Sequence, residues 1–210
     1  MNHETNTIIG LFPSPVYITK RDSNLDSTEE KEIEDIIEEG IYGHYSNQNS
    51  NSSSKNSYIF DTRLYKLKEF CKQHIETYVE RIISPKKELD FYITQSWLNI
   101  TKPGESHRVH SHPNSIISGV FYVSTEEDDK IYFYDPSNIK NRTEFEINEF
   151  NIWNSLSWFI PTEKNALLLF PSWLSHSVEE NKKATTDRIS LSFNTFVKGK
   201  IGQLHSELNL

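Results

Sequence analysis

DRISLSFNTFV, residues 187–197, alternates polar and apolar side chains with a period of two. Arg188, Ser190, Ser192 and Asn194 fall on one face of an extended chain, and Ile189, Leu191, Phe193 and Thr195 on the other. A helix would scatter the two sets around its axis, so the stretch reads as a strand. The same period runs back to Pro85, with strands expected at Phe91–Ile100, Ile116–Val123, Ile131–Tyr134, Phe145–Ile147, Trp158–Ile160, Ala166–Phe170 and Arg188–Val197. Turn clusters such as TKPGES (101–106) and DPSN (135–138) separate them. Many short strands at such spacing predict an antiparallel jelly roll.

Upstream the pattern is different. IIGLFPSPVYI, residues 8–18, reads as a strand interrupted by Pro13 and Pro15, which suits a sheet edge because proline lacks a ladder donor. Ser27 and Glu30 have capping-box spacing ahead of Ile33, Ile36 and Ile37, and Gly40 can close that short helix in the left-handed conformation. Residues 46–57, nearly all Ser and Asn, are expected to form a flexible loop. A second helix is expected from Asp61 to about Ile83, because Leu64, Leu67, Cys71, Ile75, Tyr78 and Ile82 recur along one face. Cys71 lies on that stripe as a buried thiol, with nothing nearby in sequence to activate it. The expected organisation is one domain: strand and helices in 1–90 packed on a β core in 91–198, with a tail at 199–210.

The 210 residues carry 12% aromatic and 25% charged side chains, which excludes a disordered chain. Twenty-two Ile against two Ala argue against a helical bundle. One Cys excludes a disulfide framework and any multi-thiolate zinc site. A net charge of −8 without a basic cluster argues against nucleic acid as a general partner, and no apolar run is long enough to span a bilayer. A cytoplasmic location is expected, since the start has neither a basic leader nor a small-residue cleavage site.

Of eight histidines, His107, His110 and His112 fall in HRVHSH and His176 in PSWLSHSV. On a strand, His110 and His112 project to the same side and can converge on one ion, with His176 arriving from a distant strand. His107 reads as lining the entrance or supporting the ligands. The polar face headed by Arg188 has two readings. It is the solvent side of an edge strand, or it faces inward as a carboxylate anchor, with Ser190 adding a hydroxyl from the same wall.

The strings SWLNITKPGESHRVHSHPNSIISGVFYV (96–123), WFIPTEKNALLLFPSWLSHSV (158–178) and DRISLSFN (187–194), together with LFPSPV (11–16), resemble the 2-oxoglutarate- and iron(II)-dependent oxygenases of bacteria and phages. The resemblance implies a double-stranded β-helix, a cupin-like jelly roll with flanking helices. It implies iron(II) held by His110 and His176, and Arg188 with Ser190 on the distal carboxylate of 2-oxoglutarate. The implied chemistry is oxygen-dependent decarboxylation of the keto acid to succinate with hydroxylation of a substrate, and ascorbate as a supporting reductant. Tyr122 and Asn99 are further candidates to meet the keto acid.

One departure from that family stands out: its usual His-x-Asp is His110 and His112 here. His112 in the Asp position would give three neutral imidazoles. Other ways to complete the set are His107 with His112, a water, or Asp135 in YFYDPS. Beyond the metal ligands no separate catalytic residue stands out. Two other functions stay open: a cupin-like three-histidine dioxygenase without a keto acid, and a non-catalytic metal- or carbohydrate-binding jelly roll. The primary substrate, small molecule or peptidyl side chain, is not legible, and a homodimer is among the open assemblies. Trp97, Trp158 and Trp173 are expected to close the core or the pocket rim.

Overall fold

A computed structural model describes residues 7–43, 50–137 and 145–210. In chain order its elements are β1 (Tyr17–Lys20), α1 (Ser27–Glu38), β2 (Ile41–Gly43), β3 (Ser52–Ser54), α2 (Ile59–Thr62) and α3 (Tyr65–Tyr78), the last running into a π-helical turn at Val79–Ile83. Then come β4 (Asp90–Thr101), β5 (His107–His110), β6 (Ile117–Ser124), β7 (Lys130–Tyr134), β8 (Ser157–Pro161), β9 (Ala166–Pro171), β10 (His176–Val178) and β11 (Arg188–Lys198). A small C-terminal pair, β12 (Lys200–Ile201) and β13 (Leu208–Asn209), closes the chain.

Seven strands form one antiparallel sheet in the order β1-β9-β6-β11-β4-β3-β2, and four form a second in the order β5-β10-β7-β8. Period-two alternation sorts the larger sheet into two buried faces. Ile117 and Phe121 of β6, Leu167 and Leu169 of β9, and Leu191 and Phe193 of β11 point away from the small sheet. They pack under α1 and α3 with Ile33, Ile36, Leu67, Cys71, Ile75 and Tyr78. Val120, Tyr122, Leu168 and Phe170 point the other way and meet Ile131 and Phe133 of the small sheet. Each such fully buried side chain contributes about 1.5–3 kcal/mol of transfer free energy, so both faces stabilise the sheet. Gly119 permits a close approach on the helix-facing side, where an added Cβ would stand 2.1 Å from the Phe193 ring. Among the described residues, no helix is long and apolar enough to cross a membrane.

The jelly roll agrees with the sequence expectation, and several local readings change. The first helix is capped by Asp26, whose side chain accepts from the backbone of Thr28 and Glu29 while Glu29 reaches back to the Asp26 N–H, one residue ahead of the Ser27–Glu30 box. The expected helix from Asp61 to Ile83 is broken. Arg63 is extended and Leu64 is left-handed at φ 55°. Tertiary bonds hold the break: Leu64 N–H donates to Glu32 Oε2 at 2.7 Å and Phe60 N–H to Ser96 Oγ at 2.8 Å, while Leu64 itself is fully buried. Ile82, last on the stripe, is exposed.

The Asn/Ser segment is not a loop where it is described. Residues 46–49 lie outside the described residues, but Ser52–Ser54 form β3 between β2 and β4, with Asn51, Ser53 and Ser54 buried. Their side chains find partners inside the wall: Ser53 Oγ donates to Asn99 Oδ1 at 2.8 Å, Ser54 Oγ to Asn56 O, and Ser54 Oγ accepts from Leu98 N–H. The strand expected over residues 8–18 starts only at Tyr17, leaving Ile8, Ile9, Leu11 and Phe12 exposed before it, although it does take a sheet edge. Residues 145–147 form no strand, and Phe145 is exposed.

Candidate metal centre

The small sheet brings two histidines side by side. Strand β10 pairs with β5 so that His176 stands opposite His110, and with β7 so that His176 stands opposite Phe133. Paired residues on neighbouring strands share a face, so both imidazoles point into the space between the sheets. The expected chelate on one continuous strand is modified here: β5 ends at His110, and His112 lies beyond it. Its backbone N–H donates to Ser172 O at 2.9 Å, after which Pro113 and left-handed Asn114, at φ 56°, turn the chain. The clamp on Ser172 still delivers His112 to the same place. Ligand atoms of His110, His112 and His176 all lie within 4.8 Å of one another.

Their protonation suits a ligand role. His110 Nδ1 lies 2.9 Å from Arg108 O, and His176 Nδ1 lies 2.9 Å from Leu174 O. A carbonyl only accepts, so Nδ1 carries the hydrogen in each ring and Nε2 keeps the lone pair. Burial, reinforced by the neighbouring His110, pushes His112 down to about 4 and His176 down to about 3, so both rings are neutral at neutral pH. Three imidazoles drawn this close fit a divalent transition metal such as iron(II). His107 stacks on His110, with centroids 4.2 Å apart and planes 22° apart, outside the three-ligand cluster. Asp135 turns into its own loop, accepting from Ser137 N–H and Oγ.

The facing wall is the inner side of the large sheet. Antiparallel register lays its residues in rows: Thr101 opposite Arg188, then Asn99, Ser190 and Tyr122, then Trp97, Ser192 and Val120. Arg188, Ser190, Tyr122 and Asn99, the four residues read from the sequence as candidates for the keto acid, therefore share one face. They line the same cavity as the three histidines. Arg188 is buried rather than on a solvent-facing edge. Its Nη2 donates to Thr101 Oγ1 at 3.1 Å, and its Nη1 stands 3.9 Å from Asp129 Oδ1. Burial raises the Tyr122 phenol, which stays protonated and able to donate. Asn99 is engaged within the wall, its Oδ1 accepting from Ser53 Oγ and its Nδ2 donating to Ser192 Oγ at 2.9 Å.

Two residues in this region escape a sequence reading. Asp129, in the acidic turn EEDD, is buried and accepts from Glu126 N–H and Asn181 Nδ2. Asn51, in the Asn/Ser segment, lines the cavity. Neither carries a periodic signal, since Asp129 acts from a turn and Asn51 lies just ahead of a three-residue strand. Trp97 reaches the cavity, 5.8 Å from the His112 ring between centroids, whereas Trp158 and Trp173 are exposed.

Residues 95–194 match the family described as "Putative 2OG-Fe(II) oxygenase". Among solved structures, the fold is similar to the non-heme alpha ketoglutarate dependent carbocyclase SnoK from nogalamycin biosynthesis. The TM-score is 0.61 and the identity 12%, over 89% of this chain and 81% of that chain. It is similar also to a Pseudomonas putida prolyl-4-hydroxylase, with a TM-score of 0.56 and 12% identity over 86% of this chain and 92% of that one. HygX from Streptomyces hygroscopicus, solved with nickel, 2-oxoglutarate and hygromycin B bound, gives a TM-score of 0.54 at 9% identity, over 87% of this chain and 82% of that one. At such identities the likeness is one of fold, the double-stranded β-helix. No curated protein matches the chain.

Proposed function

We propose that this chain, of which residues 95–194 match the 2OG-Fe(II) oxygenase family, is a dioxygenase that decarboxylates 2-oxoglutarate to succinate while hydroxylating a second substrate. In this reading His110, His112 and His176 hold the iron. Bound iron(II) supplies the redox centre at which oxygen and the keto acid react. The protein's own part is binding, orientation and exclusion of water.

The observation that carries the reading is the opposition of two walls across one cavity: a three-histidine cluster on the small sheet and a buried guanidinium on the large one. Arg188 anchors the distal carboxylate through its planar fork, with Ser190 donating from the next row. Tyr122, a protonated phenol on the same row as Ser190, donates a further hydrogen bond to the keto acid. Asn99 orients this wall through Ser192 and Ser53. Val120, Ile131 and Phe170 supply apolar lining that keeps water from the reacting groups.

Purified protein given iron(II), ascorbate, oxygen and 2-oxoglutarate should form succinate. Arg188→Ala should raise the keto-acid requirement by roughly 10- to 100-fold, the range expected for losing a charge-assisted hydrogen-bond pair. Failure of the metal-loaded protein to bind 2-oxoglutarate in calorimetry would falsify the reading.

A second reading has its own observation. The three-ligand cluster contains no carboxylate, as in cupin-like dioxygenases whose substrate binds the metal without a keto acid. Arg188 then serves a substrate carboxylate. Oxygen uptake that proceeds without 2-oxoglutarate would select this alternative.

A further inference from the structure

Asn51 is 1% exposed, and its Oδ1 has no hydrogen-bond partner. Of the buried side-chain atoms left in that state among the described residues, it alone belongs to a residue lining the cavity. A buried acceptor left unpaired is destabilising, so its presence in the wall of a site calls for a donor. The orientation of the amide is set by its neighbours. Asn51 Nδ2 faces Asn99 Oδ1 at 3.4 Å, and that oxygen already accepts from Ser53 Oγ. Exchanging oxygen and nitrogen would set two acceptors against each other. The backbone is fixed as well, with Asn51 N–H donating to Ser106 O at 3.1 Å, next to His107.

The chemistry of the cavity narrows what can meet this oxygen. 2-Oxoglutarate as a dianion carries two carboxylates and a ketone, all acceptors, and succinate likewise has no donor at neutral pH. The cosubstrate therefore cannot satisfy Asn51. Among the described residues, the cavity lining contains no Asp or Glu, and its one permanently charged side chain is Arg188. No described lining side chain offers a counter-charge to a cationic substrate.

We propose, resting on the oxygenase reading above, that Asn51 is a specificity-determining residue that accepts a hydrogen bond from the primary substrate. That substrate presents a neutral O–H or N–H donor, an alcohol or an amide, to the wall formed by β3 and β4. The Asn51–Asn99–Ser192 chain of amide and hydroxyl groups ties this contact to the face that carries Ser190 and Arg188.

The test uses the full-length protein loaded with zinc(II), which is diamagnetic and redox-inert, and with 2-oxoglutarate. Acetamide, which has N–H donors, and N,N-dimethylacetamide, which has none, are compared by saturation-transfer NMR on wild type and on Asn51→Ala. Acetamide should bind wild type and weaken about tenfold in Asn51→Ala, the loss expected for one buried hydrogen bond. N,N-dimethylacetamide should bind both proteins alike and more weakly. An unchanged 2-oxoglutarate affinity in the variant shows that the site has kept its shape. Equal binding of the two probes to wild type, or an unaltered acetamide signal in Asn51→Ala, overturns the proposal and leaves Asn51 as wall alone. A loss of 2-oxoglutarate binding in the variant also overturns it, by assigning Asn51 to the cosubstrate face. If wild type does not take up 2-oxoglutarate at all, the oxygenase reading fails before either probe is added.

Discussion

His107 and His112 both lay their rings against His110, at centroid distances of 4.2 and 5.0 Å, but the cluster of ligand atoms is completed by His112. The two differ in what holds them. His112 is pinned by its backbone bond to Ser172 and its ring lies 5.1 Å from that of His176, whereas His107 sits three residues back on β5, stacked on the outer ring. We expect His112→Ala to weaken divalent-metal binding by roughly a hundredfold or more, beyond the loss typical of a supporting residue. His107→Ala should leave metal affinity near that of wild type. Cobalt(II) absorption titrations on both variants decide the matter, and a reversed order would put His107 in the ligand set. The residue types and spacing of this group were legible in HRVHSH. The route by which His112 arrives was not, because it depends on a carbonyl sixty residues away.

At the scale of elements, what could be read tracks how many residues repeat a pattern. The eleven-residue β11 alternates polar and apolar side chains from Arg188 to Asn194, and over that stretch its faces divide as its sequence does. Strands β5 and β10, at four and three residues, are too short for periodicity, although they carry His110 and His176, two of the three clustered histidines. Strand β3 is invisible for a different reason. Serine is depleted in strands because its hydroxyl competes for backbone groups, yet in β3 the hydroxyls are occupied by Asn99, Asn56 and Leu98. The break before α3 is likewise a tertiary effect, fixed by Glu32 and Ser96 from other elements.

Two element-level outcomes follow from the packing. Gly119→Ala would force its methyl into the Phe193 ring and should lower stability by about 1–3 kcal/mol, read as a drop in the urea midpoint with an unchanged slope. Cys71 is buried on α3 with its thiol raised well above the ordinary range by burial. It should resist iodoacetamide in the folded protein and react once α3 is released. Labelling at a free-thiol rate in native buffer would mean that this helix opens from the sheet far more readily than its packing implies.

For the whole molecule, the cavity depends on how the two sheets are tied together at the turns next to Arg188. The turn between β6 and β7 is clasped to the segment leading into β11: Glu126 accepts from the backbone and hydroxyls of Thr185 and Thr186, and Asp129 accepts from Asn181. Asp129 is also the carboxylate nearest the buried guanidinium, at 3.9 Å. Asp129→Ala should therefore loosen this junction and leave Arg188 with Thr101 alone, costing about 1–3 kcal/mol of stability. If the cosubstrate carboxylate binds Arg188, it supplies the counter-charge that the variant lacks, and it no longer meets repulsion from Asp129. The variant should then gain more stability than wild type from saturating 2-oxoglutarate and zinc(II), because a ligand stabilises in proportion to its affinity for the folded state. Urea denaturation of both proteins, with and without the two ligands, measures this directly. A stability gap that narrows when they are added links Asp129, Arg188 and the keto acid in one electrostatic unit. A gap that stays constant means that the keto acid does not reach the guanidinium, and Arg188 would then be a strut between the sheets.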